Sequence, residues 1–335
     1  MGTGASSSIQ AAVQETSSED LSAALAQLAP EARGKLAKAL TAVAGSGASA
    51  PPAPSPEAAG MSKTVLITGT STGFGRLSVK DFASKGWNVI ATMRTPSKET
   101  ELQTLGDNVL VLELDVQKPD TITTAIAEGI KKFGKIDVLV NNAGYGSIGF
   151  FEGTSMEEVQ RQFDINVFGV MRVTQAILPH FREKKAGQIV TLSSCAGLHT
   201  FPCGSVYYSS KWAIEGWAEC LSYELLPLGI QIKLVEPGGY KTDFGGRSLA
   251  FAGPPENAAE YAEMAKKMQE RWAAAGELPG PDPVVKTIYA AAVETDIKKM
   301  RFPIYEAEDP YGKMVALRKE QGAEAQYAAV LAASG

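Results

Sequence analysis

Cysteine and histidine are scarce in this chain, whose 335 residues include three cysteines and two histidines. The cysteines, Cys195, Cys203 and Cys220, are odd in number and have no CxxC spacing, so neither a disulfide framework nor a zinc site is expected. Basic residues are not in excess, because 32 Lys and Arg stand against 37 Asp and Glu. This balance argues against nucleic acid as a partner. Small molecules are the expected ligands.

Long apolar runs are also missing. No stretch approaches the roughly 20 apolar residues of a membrane span. The N-terminus lacks the charged-then-apolar layout of a secretory signal. These absences favour a cytoplasmic protein without a transmembrane segment.

The N-terminal residues differ in composition from the rest, being rich in Ala, Ser, Gly and Pro. Apolar residues at helical spacing in 21–28 and 36–43 predict a small helical extension over 1–44. The prolines of 45–60 predict a flexible, semi-extended linker. A catalytic domain over 61–335 is then expected.

A short apolar run, Lys63–Thr68, predicts a buried first strand. A glycine loop follows, and a helix is expected from about Phe74 to Ser84. Glycines let the backbone approach a pyrophosphate, which the helix N-terminus attracts through its N–H groups. Strand, loop and helix together therefore predict a dinucleotide site. The candidate cofactor-binding residues of this loop are Gly69, Thr70, Ser71, Thr72, Gly73, Phe74 and Gly75.

The next predicted strand, Asn88–Thr92, presents its C-terminal end to the adenine ribose. An NAD enzyme places an acid there, about 20 residues beyond the glycines. This chain has Met93 and Arg94 instead. A guanidinium without a carboxylate favours the 2′-phosphorylated cofactor, so NADP(H) is preferred and NAD(H) stays open. The alternative is that Arg94 is simply an exposed residue at a strand end.

Two further strands are predicted, at Val109–Leu114 and Val138–Val140. Asp115 and Val116 follow the first and are expected to border the adenine. The second leads into an NNAG loop, which is either a plain turn or a contact to the dinucleotide. The candidate residues in that loop are Asn142, Ala143 and Gly144. Strands alternating with helices predict an α/β fold with one Rossmann-type, doubly wound parallel sheet, right-handed crossovers and helices on both faces.

Tyr207 and Lys211 are four residues apart and share a face if their segment is helical. A phenol with a pKa of about 10 is a poor acid or base at neutral pH, and a nearby ammonium lowers that pKa. Alone, the Tyr-x-x-x-Lys spacing is also common on helix surfaces. Its place in the chain decides its interpretation.

The order of glycine loop, NNAG, Asn166, Ser194, Tyr207 and Lys211 resembles the short-chain dehydrogenase/reductase family, over about residues 62–245. The gap of 13 residues between Ser194 and Tyr207 is also similar to that family.

The resemblance implies a catalytic role for each of these residues. Ser194 would hydrogen-bond the substrate oxygen, and Tyr207 would transfer its proton. Lys211 would hold the nicotinamide ribose and lower the pKa of the tyrosine, and Asn166 would hold a water that completes a proton relay. The segment lining the nicotinamide would be Pro237, Gly238 and Thr242. Hydride transfer to a carbonyl in this way needs no metal.

The substrate side is expected in a lid over about residues 244–275. Phe251 and a helical pattern through Tyr261, Met264 and Met268 predict an apolar surface over the nicotinamide, or else an ordinary surface helix. The chain is similar here to the 17β-hydroxysteroid dehydrogenase-like branch of the family. An apolar carbonyl or alcohol substrate is therefore expected.

The favoured function is an NADP(H)-dependent carbonyl reductase or alcohol dehydrogenase. The alternatives are a non-catalytic NADP(H) sensor, an interaction protein tethered through residues 1–60, and an epimerase or dehydratase of the same family. The resemblance implies a homo-oligomer. The N-terminal extension is expected to bind a protein or a membrane surface, and Met1–Ser6 fits the pattern for myristoylation of Gly2.

Overall fold

The computed structural model describes residues 62–243, 248–256, 258–274, 277–305 and 310–334. The predicted extension over 1–44, the linker over 45–60 and the myristoylation site lie outside them, and the domain boundaries remain predictions. Among the described residues, no helix is both long enough and apolar enough to cross a membrane.

Nine strands and nine longer helices organise the described residues. The strands are β1 (Thr64–Thr68), β2 (Asn88–Met93), β3 (Val109–Glu113), β4 (Val138–Asn141), β5 (Gly146–Gly149), β6 (Gly187–Leu192), β7 (Ile230–Pro237), β8 (Leu249–Ala252) and β9 (Arg301–Ile304). The helices are α1 (Gly73–Ser84), α2 (Pro119–Phe133), α3 (Met156–Phe163), α4 (Val170–Lys184), α5 (Ser205–Leu225), α6 (Ala262–Ala274), α7 (Asp282–Val293), α8 (Pro310–Gln321) and α9 (Ala323–Ser334).

The predicted doubly wound parallel sheet is confirmed. Seven strands pair in the order β3-β2-β1-β4-β6-β7-β9, and every pair is parallel. The order reverses direction between β1 and β4. In such sheets, ligands bind outside the carboxyl ends of the strands at this reversal. The loops after β1, β2, β4, β6 and β7 therefore meet at one edge.

Both faces of the sheet are covered, as the sequence predicted. Alternate residues of β1 point to opposite faces. Val65 and Ile67 pack into a cluster with α1 and α7, whereas Leu66 packs with α2, α4 and α5. Phe82 of α1 and Phe181 of α4 are fully buried, one on each face. Burying one such side chain stabilises the fold by about 1.5–3 kcal/mol.

A second, two-stranded parallel sheet was not predicted. It joins β5, just after the NNAG loop, to β8 in the predicted lid region. The strands are close-packed, because a Cβ on Gly149 would lie 2.0 Å from the Ala252 carbonyl oxygen. In the same region, the rings of Phe150 and Tyr261 lie 5.0 Å apart. The described part of the lid is therefore tied to the main sheet.

Candidate active site

The glycine loop lies between β1 and α1. Gly69 and Gly73 have φ values of +70° and +58°, a backbone conformation that favours glycine. Among the described residues, a Cβ on Gly73 would meet only the Thr242 Cβ, at 3.8 Å, so these residues leave space in front of the loop. The first turn of α1 contains no acidic residue, and Thr72 provides no side-chain cap. This end of the helix therefore suits an anion.

The NNAG loop is fastened to the glycine loop. The Asn142 side-chain amide donates to the carbonyl oxygens of Thr68 (2.8 Å) and Gly69 (3.0 Å). The backbone N–H of Ala143 donates to Thr68 Oγ1 at 3.0 Å. Gly144 lies against Asn166, whose Oδ1 would be 3.3 Å from a Cβ at that glycine. The structure thus brings the two predicted loops together.

Gly75 is the tightest point of this junction. A Cβ there would lie 2.4 Å from Asn142 Nδ2 and 2.5 Å from the Gly69 carbonyl oxygen. We expect Gly75→Ala to lower the free energy of unfolding by about 2–3 kcal/mol, because part of that clash is with backbone. Urea unfolding followed by circular dichroism measures this loss.

Gly216 provides the matched control, since it lies in a helix where an added Cβ meets no atom of the described residues within 4 Å. Gly216→Ala is expected to leave the unfolding free energy unchanged or to raise it by up to about 1 kcal/mol. Equal stability of the two variants would refute the close contact at Gly75.

Two guanidinium groups lie near the glycine loop and the end of β2, where the sequence predicts the adenine ribose. Arg76 binds the carboxylates of Glu99 and Glu101, and its hydrogen bond holds the pKa of Glu99 at about 2. Arg94 follows β2, is exposed, and makes no ion pair with any described residue. Thr70 fixes the glycine loop beside this strand by donating from N and Oγ1 to the Thr92 carbonyl, at 2.9 and 3.1 Å. Arg94 is therefore the guanidinium available to a phosphate here.

Asp115 and Val116 follow β3, as predicted. The backbone N–H of Asp115 donates to Thr121 Oγ1 at 3.0 Å, which holds the strand end. Val116 is buried, and its Cγ2 would lie 2.7 Å from a Cβ on Gly169. Val116 therefore packs inward, and Asp115 is the more accessible of the pair.

Tyr207 and Lys211 lie one turn apart on α5, which confirms that their segment is helical. Lys211 Nζ is 5.8 Å from the centre of the Tyr207 ring and donates to the Leu192 carbonyl oxygen at 2.8 Å. Burial lowers the pKa of Lys211 to about 8, and the charge of Glu215 opposes this change. Burial raises the pKa of Tyr207, and a hydrogen bond with Ser194 lowers it.

Ser194 lies just beyond β6, within reach of Tyr207. Its Oγ accepts from the Ala196 N–H at 3.1 Å and donates to the Pro237 carbonyl at 3.4 Å. The neighbouring Tyr208 ring packs instead against His199, with ring centres 5.6 Å apart. Tyr207 is the tyrosine that is hydrogen-bonded to Ser194 and has the Lys211 ammonium over its ring.

Asn166 lies in a π-helical turn, Asp164–Gly169, and is 2% exposed. Its side-chain amide makes two hydrogen bonds with the backbone of Tyr145. Oδ1 accepts from the Tyr145 N–H at 3.0 Å, and Nδ2 donates to the Tyr145 carbonyl oxygen at 2.8 Å. The sequence predicted a residue that holds a water. The structure shows a side chain that is engaged with the loop after NNAG.

The segment after β7 forms another wall of the site. Thr242 lies against Gly73, and the N–H of Gly238 donates to the Ile304 carbonyl at 2.9 Å. Tyr311 of α8 packs beside Gly239, where an added Cβ would lie 3.4 Å from its ring. No sequence motif marked Tyr311, which comes from a distant part of the chain.

Comparison with known proteins identifies the family. Residues 63–251, more than half of the chain, match the family model described as short chain dehydrogenase. The chain belongs to the short-chain dehydrogenase family. An uncharacterized oxidoreductase from Bacillus subtilis (strain 168), YusZ, is 39% identical over 250 residues, which are 72% of this chain and 89% of the relative. The family predicted from the order of the motifs is confirmed.

Solved structures of short-chain dehydrogenases share the fold. One from Streptomyces avermitilis has a TM-score of 0.67 and 31% identity, covering 77% of this chain and 94% of its own. ElxO, solved with NADP bound, has a TM-score of 0.60 and 29% identity, covering 73% of this chain and 97% of its own. This chain is accordingly a short-chain oxidoreductase with a Rossmann-type sheet.

Proposed function

We propose that this short-chain dehydrogenase is an NADP(H)-dependent reductase of ketones or aldehydes, which also catalyses the reverse oxidation of secondary alcohols. One observation carries the proposal: Tyr207 is hydrogen-bonded to Ser194 and lies over the buried ammonium of Lys211. This combination is suited to moving a proton to or from an oxygen atom.

The residues present fit a dinucleotide. A cradle for a pyrophosphate is formed by the space that the described residues leave in front of Gly73, by the start of α1 without an acidic residue, and by the glycine contacts that exclude a Cβ. Arg94 would hold a 2′-phosphate, and Lys211 the nicotinamide ribose. The NADP found in ElxO supports the choice of cofactor. When bound, the nicotinamide supplies the hydride.

The chain's own residues handle the proton. The Ser194 hydroxyl, which donates a long hydrogen bond of 3.4 Å to the Pro237 carbonyl, rotates to donate to the substrate oxygen instead. Tyr207 gives its proton to that oxygen, and the charge of Lys211 stabilises the resulting phenolate. The backbone carbonyl of Asn166, fixed by the bonds to Tyr145, would hold the water through which the proton is replaced.

Aromatic side chains near Tyr207 favour an apolar substrate. His199, Phe201 and Tyr311 form a connected cluster, with ring centres 5.0–6.0 Å apart. Phe251 of β8 is 54% exposed. An apolar carbonyl compound gains more than a charged one by leaving water for such surroundings.

A panel of apolar ketones, aldehydes and quinones tests the function, with NADPH oxidation and alcohol formation both measured on the full chain. We expect at least one compound to consume NADPH and yield alcohol in equal amounts. NADPH binding without oxidation across the panel would indicate a sensor. Product formed without net NADPH oxidation would indicate an epimerase or dehydratase.

The cytoplasmic location, the homo-oligomer and the role of the extension remain parts of the proposal. Deleting residues 1–60 is expected to leave turnover intact and to change location or partners. Unaltered location and partners in the truncated protein would refute a docking role. Size-exclusion chromatography with light scattering measures the assembly.

A further inference from the structure

A second group of buried charges lies next to Lys211. Glu215 is one turn further along α5, and Glu236 is the residue before the last in β7. They are 5% and 1% exposed. Carboxylates are almost never this buried unless they are paired. Neither Glu215 nor Glu236 belongs to the motifs that identify the family.

Arg301, the first residue of β9, lies between the two carboxylates. Its Nε is 3.2 Å from Glu215 Oε2 and 3.4 Å from Glu236 Oε1. Its Nη2 is 2.6 Å from the carboxylate of Glu219, which is 47% exposed. One guanidinium thus serves two buried acids and a third acid nearer the surface. Arg301 alone does not neutralise the buried pair.

One oxygen of each buried carboxylate lacks a hydrogen-bond donor among the described residues. Oε1 of Glu215 and Oε1 of Glu236 are buried, and neither accepts a hydrogen bond from any described residue. A proton on one carboxyl group would remove one of two like charges that share Arg301. Consistent with this, burial and the charge of Glu215 raise the pKa of Glu236 to about 8.

The remaining charges around the pair then balance. Lys211 and Glu219 face it from α5, Arg301 from β9, and Lys319 of α8 acts on Glu236 from a greater distance. With Glu236 protonated, the two nearest cations, Lys211 and Arg301, are matched by the anions Glu215 and Glu219, and Lys319 stays outside this balance as an exposed residue. Loss of charge at Glu215 would leave the ammonium of Lys211 without its nearest buried counter-charge.

We propose that Glu215 and Glu236, bridged by Arg301, form a buried carboxyl pair that shares one proton and keeps Lys211 charged. Glu215 is then a positioning residue of the acid–base chemistry, because it acts through Lys211 and touches no reacting atom. The inference rests on the proposed function, in which a charged Lys211 stabilises the Tyr207 phenolate. It extends the site inward, from four residues to seven.

Glu215→Gln tests the pair by removing the charge while keeping the shape. We expect the pKa of Lys211 to fall by about one unit. NMR of the full chain labelled with [ε-13C]lysine measures this directly, with the Lys211 signal assigned from Lys211→Arg. Because carbonyl reduction needs a charged Lys211, the alkaline limb of kcat/KM should move to lower pH by the same amount.

Glu219→Gln is the matched control, since it removes a charge from the same helix and a bond from the same Arg301. Glu219→Gln should leave the pKa of Lys211 unchanged. An unchanged Lys211 pKa in Glu215→Gln, or equal shifts in both variants, would overturn the proposal.

Glu236→Gln tests the shared proton without any substrate. The pKa of Glu236 is raised in the folded state, so its contribution to stability is complete below about pH 4.5 and is lost as the pH rises through about 8. The amide resembles the protonated acid, so the variant should match the wild-type Tm at pH 5 and exceed it at pH 9. Parallel Tm curves from pH 5 to 9 would contradict a shared proton.

These readouts separate the two proposals. If no carbonyl compound is reduced but the Lys211 pKa and the Tm curves change as expected, the proposed function fails and the carboxyl pair stands. If Tyr207-dependent reduction is observed while the pKa of Lys211 is the same in the wild type and in Glu215→Gln, only the carboxyl pair is refuted.

Discussion

Replacing Tyr207 by Phe is expected to lower kcat for carbonyl reduction by about 10²–10⁴-fold, the usual contribution of a positioned general acid. The variant keeps the ring over Lys211 and loses only the hydroxyl that bonds Ser194. Affinity for NADPH should therefore change little. Steady-state rates, together with quenching of protein fluorescence by NADPH, measure the two effects separately.

Tyr208→Phe is the matched control, because it removes a hydroxyl from the adjacent residue, whose ring packs on His199. It should keep most of the turnover. Full activity in Tyr207→Phe, or equal losses in both variants, would remove Tyr207 from its role as proton donor.

Replacing Arg94 by Ala is expected to weaken NADPH binding by about 10–100-fold and to leave NADH binding nearly unchanged. The range corresponds to about 1.5–3 kcal/mol for a hydrogen-bonded charge pair. Only NADPH carries the phosphate, and Arg76 is already held by Glu99 and Glu101. Isothermal titration with both cofactors measures the change.

Arg182→Ala serves as the control, since it removes one exposed positive charge at the end of α4, away from the loops of the site. Both cofactors should bind this variant as they bind the wild type. Equal loss of NADPH and NADH in Arg94→Ala would show that the arginine supports the loop rather than a phosphate.

Much of the fold was predictable because its signals are local. The buried strand before the glycine loop and the strand ending near Met93 are short apolar runs, and the helix carrying Tyr207 and Lys211 was assumed from their spacing. All are present, with strand ends within one residue of those expected. The strand predicted over Val109–Leu114 ends at Glu113. Periodicity and turn residues suffice for elements of this kind.

Other features depend on contacts between distant segments. The β5–β8 pairing joins residues about one hundred positions apart, and β5 contains two glycines, so no strand pattern marked it. Glu236 and Arg301 approach each other only because β7 and β9 are neighbours in the sheet. Glu215 is different, since its place four residues after Lys211 on one helix was a readable signal.

The contacts of the Asn166 side chain could not be predicted from the sequence either. An Asn in a helical stretch gives no sign that its amide will bind the backbone of Tyr145, or that the helix will form a π-turn there. Such turns are frequent at functional sites. The predicted residue lies in this turn, and its water-holding role stays a prediction.

Transfer of deuterium from NADPH labelled at C4 of the nicotinamide tests the central claim most directly. With a ketone reduced by the full chain, mass spectrometry should find one deuterium on the carbinol carbon when the transferred position is labelled, and one NADPH consumed for each alcohol formed. An unlabelled product from NADPH labelled at both C4 positions, or product without net oxidation of NADPH, would contradict the assignment of this chain as a carbonyl reductase.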